Sequence, residues 1–102
     1  MNVIRHLLLF NFKPGTTPQQ RQTMKEKVDA FCASVPSLHS WEGGLALRLP
    51  GTTAIPADFG LILNFATPED FASYIYDPRH AAFVAEHMAP LRESMTSVQF
   101  EG

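Results

Sequence analysis

Residues 3–12 are largely apolar on both faces of an extended chain. Residues 3–12 read Val-Ile-Arg-His-Leu-Leu-Leu-Phe-Asn-Phe, with Ile4, His6, Leu8, Phe10 and Phe12 on one parity and Val3, Arg5, Leu7, Leu9 and Asn11 on the other. The β-branched and aromatic content and the stop at Lys13-Pro14-Gly15 predict a strand. A strand with one wet face alternates apolar and polar residues, so this pattern predicts cover on both sides. Thr17-Pro18-Gln19-Gln20 supplies an N-cap, a proline at N1 and a capping-box Gln at N3. Met24, Val28, Phe31 and Val35 follow at helical spacing, with Arg21, Lys25, Glu26, Lys27 and Asp29 left wet, and Pro36 ends the helix. A second strand is predicted from His39 to Leu49, with a bulge at Gly43-Gly44. A loop follows over 50–56, and Phe59 to Phe65 forms a third strand, again weakly polar on either parity.

Thr67-Pro68-Glu69-Asp70 repeats the cap-then-proline start and opens a short helix through Phe71, Tyr74 and Ile75. Asp77-Pro78 opens another, carrying Ala81, Phe83, Val84, Met88 and Leu91, which should finish or kink near Pro90. Thr96 to Glu101 alternates as a last strand. The order is β-α-β-β-α-β with the second helical region split. An echo of Asn11-Phe12 before Thr17-Pro18 in Asn64-Phe65 before Thr67-Pro68 supports two β-α-β halves. This is an α+β, ferredoxin-like arrangement: a four-stranded antiparallel sheet with helices on one face. Helices cover only that face, so the apolar surplus of the first and third strands predicts an isologous homodimer through the open face of the sheet.

Composition narrows the class. The 102 residues are 45% hydrophobic and 18% charged, with a formal net charge of −2, which excludes a disordered chain and leaves no basic footprint for nucleic acid or anionic lipid. One domain over 1–102 is expected, and apolar runs such as Leu7 to Phe10 are far too short to span a bilayer. The N-terminus lacks the features of a secretory leader, and the single Cys32 has no intrachain partner, so a reducing compartment, the cytoplasm, is expected. Cys32 lies among Val28, Phe31 and Val35 and reads as a buried small hydrophobe.

The candidate chemistry sits on histidines. With Asp77 as N-cap and Pro78 at N1, His80 falls at N3, where the helix terminus carries partial positive charge and disfavours a cation; a neutral imidazole able to act as a base near pH 7 follows. Tyr74, just before that turn, is placed to donate its phenol to a developing oxygen anion. The alternative is that His80 caps the turn and Tyr74 fills core. His87 lies two regular turns beyond His80 on the face shared with Val84 and Leu91, so it packs or lines a pocket. Two helical histidines about 10 Å apart do not chelate one metal, so no metal site is expected. His6 is either a buried histidine satisfied by its neighbours or a polar group of a pocket, and His39, beside a loop, is expected in solvent. Arg5 and Arg48 read as edge protection or dimer-rim charges.

Two segments carry a family resemblance. His6-Leu7-Leu8-Leu9-Phe10-Asn11-Phe12-Lys13-Pro14-Gly15-Thr16-Thr17-Pro18 is close to a His-x-x-x-Phe-x-Phe-Lys opening, and Phe71 to Val84, through Tyr74, Pro78, His80 and Phe83, resembles a Tyr-x-x-x-Pro-x-His-x-x-Phe segment. Both are similar to the stress-responsive A/B barrel (Dabb) domain, whose members are dimeric α+β barrels. One branch, the plant polyketide cyclases of the olivetolic acid type, is enzymatic. The resemblance implies that its working Tyr and His correspond to Tyr74 and His80, and the opening His to His6, while a third-strand pocket histidine is replaced by Phe59.

The combined expectation is a homodimer binding a small apolar organic ligand, without metal or cofactor, in a pocket between sheet and helices. His6, His87, Phe59 and Phe83 would line that pocket beside Tyr74 and His80. The enzymatic alternative is a cofactor-independent cyclase- or lyase-like activity with His80 as general base and Tyr74 steadying the oxygen. A monooxygenase-like activity, as in other dimeric α+β barrels, and a non-catalytic, stress-protective dimer with a filled interior complete the alternatives.

Overall fold

A computed structural model describes residues 3–52 and 57–102. The sheet has the order β2-β3-β1-β4, all antiparallel: β1 is Ile4–Phe12, β2 Ser40–Leu45, β3 Phe59–Phe65 and β4 Arg92–Glu101. Helices α1 (Pro18–Ala33), α2 (Pro68–Ile75) and α3 (Pro78–Phe83) pack against one face, and α3 runs directly into a π-helical turn, Val84–Met88. The β-α-β-β-α-β order is the ferredoxin-like fold.

The local signals act as their chemistry requires. Thr17 Oγ1 accepts from the Gln20 amide while Gln20 Oε1 accepts from the Thr17 amide, a complete capping box that starts α1. Thr67 caps α2 and Asp77 caps α3, each followed by proline. The α1 stripe of Met24, Val28 and Cys32, with Val35 just beyond the helix, meets the inner face of the sheet, where Leu8, Phe10 and Phe12 of β1 and Phe59, Leu61, Leu63 and Phe65 of β3 are all buried. Burial pushes the Cys32 thiol up to about 12, as an inert core thiol requires.

Four expectations need correction. The second strand stops at Leu45, because β3 begins at Phe59 and residues beyond Ala46 have no partner strand; Leu47 is 79% exposed. No bulge occurs at Gly43-Gly44, since the pairing with β3 runs unbroken; a Cβ on Gly43 would lie 2.6 Å from Leu61 Cδ1, so the residue is glycine for close approach. The last strand starts at Arg92 rather than Thr96, because β1 pairs along its whole length. The helix begun at Pro78 gives way to a π turn after Phe83, closed by Ala89 N–H to the Val84 carbonyl at 2.8 Å, and ends before Pro90. The described part of the 50–56 loop turns at Gly51, whose φ of 88° suits glycine; residues 53–56 lie outside the described residues.

Among the described residues nothing covers the other face of the sheet. Across β3, β1 and β4, Ile62, Leu7 and Val98 form one row, flanked by Leu9 and Phe100; Leu9, Val98 and Phe100 remain 43%, 50% and 47% exposed. Among the described residues no helix is long and apolar enough to cross a membrane.

Candidate functional site

Beyond Leu8 and His6 the inner face of the sheet is carried by β4, and the helices do not close over that strand. Between β4 with the adjacent half of β1 on one side and α1, α2, α3 and the π turn on the other lies a cavity of about 390 Å³. Its walls are mostly apolar, with Val28, Phe31, Phe71, Phe83 and Met88 among them, and its polar groups are few: His6, Tyr74, His80, Arg92, Ser97 and Gln99. An apolar enclosure with convergent polar groups is the usual form of a small-molecule site.

Tyr74 and His80 meet here because α2 ends at Ile75 and the Asp77-Pro78 cap reverses the chain at once. Their ring centroids lie 4.6 Å apart, tilted by 55°. The His80 amide donates to the Asp77 carbonyl at 2.9 Å, the N3 position expected from the sequence. Burial first of all depresses the His80 pKa, against a hydrogen bond to the Ile75 carbonyl and the nearby Asp77 carboxylate. The neutral ring expected from the helix terminus is therefore favoured mainly by desolvation. A neutral imidazole carries one N–H and one free lone pair, so one ring nitrogen of His80 is able to accept a proton. Burial, and then Cys32, raises the Tyr74 pKa, so its phenol keeps its proton.

The His6 side chain is buried, and its pKa is lowered by burial and then by His80. The Gln99 amide nitrogen sits 2.8 Å from His6 Nδ1, making that nitrogen the acceptor of a neutral ring and Nε2 the protonated one. Its ring stands edge-on to Phe71 at 5.2 Å and 6.4 Å from the ring of Tyr74. His6, Tyr74, His80 and Phe83 are thus brought to one cavity, with Phe83 stacked on Phe31 at 4.4 Å.

Two sequence candidates fall elsewhere. Phe59 is fully buried, stacked on Phe10 at 4.8 Å in the core, and is not among the residues that line the cavity. His87 lies outside it, beside Lys27 Nζ at 3.3 Å. The reason is the π turn: its wider winding delays each side chain, so Met88 rather than His87 returns to the face of His80 and Val84. Conversely, Arg92, Met95, Ser97 and Gln99 of β4 line the cavity without having been singled out. Alternation of Ser97 and Gln99 against Val98 was visible, but nothing local said that the polar parity faces inward. Among the described residues no three His, Cys, Asp or Glu side chains converge as a metal-binding group.

Comparison with solved structures places this architecture. A dimeric ferredoxin-like protein of unknown function from Thermobifida fusca is 28% identical, with a TM-score of 0.81 over 97% of this chain and 90% of its own. A Dabb family protein with a ferredoxin-like fold from Mesorhizobium loti is 21% identical, with a TM-score of 0.81 over 98% and 96% of the two chains. The hydroxynitrile lyase of Passiflora edulis is 19% identical, with a TM-score of 0.83 over 98% and 93%. At those last two identities the likeness is one of fold. No curated protein sequence matches the chain. The sequence profile of the Stress responsive A/B Barrel Domain covers residues 4–101, essentially every element described above, and the chain therefore belongs to the Dabb family.

Proposed function

We propose that this protein binds a small apolar organic molecule in the cavity between β4 and the helices, as a homodimer joined through the open face of its sheet. The observation that carries the reading is the cavity itself. A filled interior would suit a purely structural dimer, whereas about 390 Å³ of mainly apolar space beside His6, Tyr74 and His80 is of ligand size. The uncovered row of Ile62, Leu7 and Val98 supports the homodimer, and the dimeric relative from Thermobifida fusca agrees with it. The inert, buried Cys32 suits a reducing, cytoplasmic setting. The test is titration with N-phenyl-1-naphthylamine, an uncharged apolar fluorophore. Saturable binding of one molecule per subunit is expected, and Ser97→Phe, which fills the cavity from β4, should abolish it while circular dichroism stays native. Absence of saturable binding, or equal binding by folded Ser97→Phe, would overturn the reading.

The Tyr74–His80 pair favours a second reading, proton abstraction. The free nitrogen of neutral His80 takes a proton from a carbon alpha to a carbonyl. The C–H electron pair passes into an enolate whose oxygen receives the Tyr74 hydrogen bond. That enolate carbon can add to a second carbonyl of the same molecule, whose oxygen then takes the proton from His80, as in an aldol cyclisation, or it can take the proton back itself. Deuterium exchange at the methyl group of 4-butylacetophenone, followed by NMR, tests the step. Exchange faster than in buffer and lost in both His80→Ala and Tyr74→Phe is expected; exchange unchanged in His80→Ala removes it.

A further inference from the structure

The polar wall of the cavity contains a cation and no carboxylate, and a backbone irregularity is responsible. From Ile4 to Asn11, β1 pairs with β4 in one register, Ile4 opposite Glu101 through Asn11 opposite Ser94. Continued, that register would set Phe12 opposite Glu93, and alternation from Gln99, Ser97 and Met95 would turn the Glu93 carboxylate inward. Instead the register shifts between Asn11 and Phe12, and Phe12 pairs with Arg92. Glu93 becomes the extra residue of a β-bulge and stays exposed, while Arg92 is half-buried at the cavity. Bulges next to binding sites commonly re-aim a side chain in this way. Here the bulge exchanges an inward negative charge for a positive one.

Arg92 is poorly matched within the chain. Its Nη1 contacts only the weak acceptor Met95 Sδ at 3.4 Å, and among the described residues it has no carboxylate at ion-pair distance, whereas Arg21 pairs with Asp58 and Arg79 with Asp77. The other ionisable groups facing the cavity from the packed elements are His6, Tyr74, His80 and Cys32, none of them an anion to satisfy the guanidinium. A half-buried fork of N–H donors beside an apolar cavity without a carboxylate is complementary to one kind of molecule.

We propose that the ligand is an apolar acid, an aromatic or alkyl body seated among the phenylalanines with its carboxylate held by Arg92, which the bulge at Glu93 turns inward. This rests on the ligand-binding reading of the cavity and adds the charge of the ligand and the residue that selects it. The test uses two probes of nearly equal shape, 4-butylbenzoate and 4-butylbenzamide, titrated by calorimetry into the intact protein at pH 7.5. The benzoate should bind at least tenfold more tightly than the amide. Arg92→Gln should weaken the benzoate about tenfold and leave the amide unchanged, while Arg92→Lys should keep part of the preference. Equal affinity of both probes for the unaltered protein, or a benzoate preference that survives Arg92→Gln, would overturn the proposal and leave apolar binding standing. Parallel loss of both probes in Arg92→Gln assigns Arg92 a packing role and overturns it too. Binding of neither probe to the unaltered protein would defeat the cavity reading itself.

Discussion

Replacing Leu9 by glutamate tests the open face of the sheet at its centre. Leu9 lies on β1, an interior strand, beside Gly60 of β3 and Thr96 of β4, and it is 43% exposed in the single chain. If the chain were a monomer, Leu9→Glu would alter only a partly exposed surface, and stability should move within about 0.5 kcal/mol. In an isologous dimer the same position occurs twice in one interface, so two carboxylates lose water together. Even after relaxation a buried, unpaired charge costs several kcal/mol; at about 2 kcal/mol per carboxylate the dimer loses about 4 kcal/mol, a thousandfold in dissociation constant. Sedimentation equilibrium at micromolar concentration should show a dimer for the unaltered protein and a folded monomer for Leu9→Glu. Val98→Glu, on the neighbouring strand, should repeat the result, and Leu47→Glu, 79% exposed and away from the sheet, should remain dimeric. A monomeric unaltered protein, or a Leu9→Glu dimer of undiminished affinity, would refute the argument from uncovered apolar surface.

Gly43→Ala should destabilise the protein by about 1–3 kcal/mol, because its new Cβ meets Leu61 Cδ1 and the Gly60 carbonyl; a fall in melting temperature of about 5–15 °C by calorimetry is expected. His6 and His80 both have pKa values lowered in the folded state, so between pH 7 and 5 the unfolded chain takes up protons that the folded one refuses. Stability is then full above 6.5 and declines as pH falls below it, which urea denaturation should show as a lower midpoint at pH 5 than at pH 7, with a smaller difference in His80→Gln. The Cys32 thiol, pushed up to about 12, should resist iodoacetamide at pH 8 until the protein is unfolded, as followed by mass spectrometry.

What could be read in advance was whatever one element decides. The capping box at Thr17, the paired Thr-Pro and Asp-Pro starts, the burial of Cys32 and the meeting of Tyr74 with His80 each depend on residues within a few positions of one another. The excess of apolar residues on β1 is equally plain in the chain, and the structure shows where it lies: one set in the core, the other on an uncovered face. Where several elements interact, the local pattern does not reach. A regular helix carries His87 round to His80, but the π turn brings Met88 there instead. A third-strand position reads as a pocket wall, yet Phe59 is stacked on Phe10 in the core, two strands away from β4.

The order of elements, the cap chemistry that starts each helix and the amphipathic faces that must be buried are all written in the chain, because they follow from backbone periodicity and short-range hydrogen bonding. Which polar groups share the cavity is set by contacts between distant strands. Gln99 reaches His6 across ninety-three positions of sequence, and a single unpaired residue in the β1–β4 ladder decides that Arg92 rather than Glu93 faces inward. Register is a property of two strands meeting, and no pattern within either strand contains it.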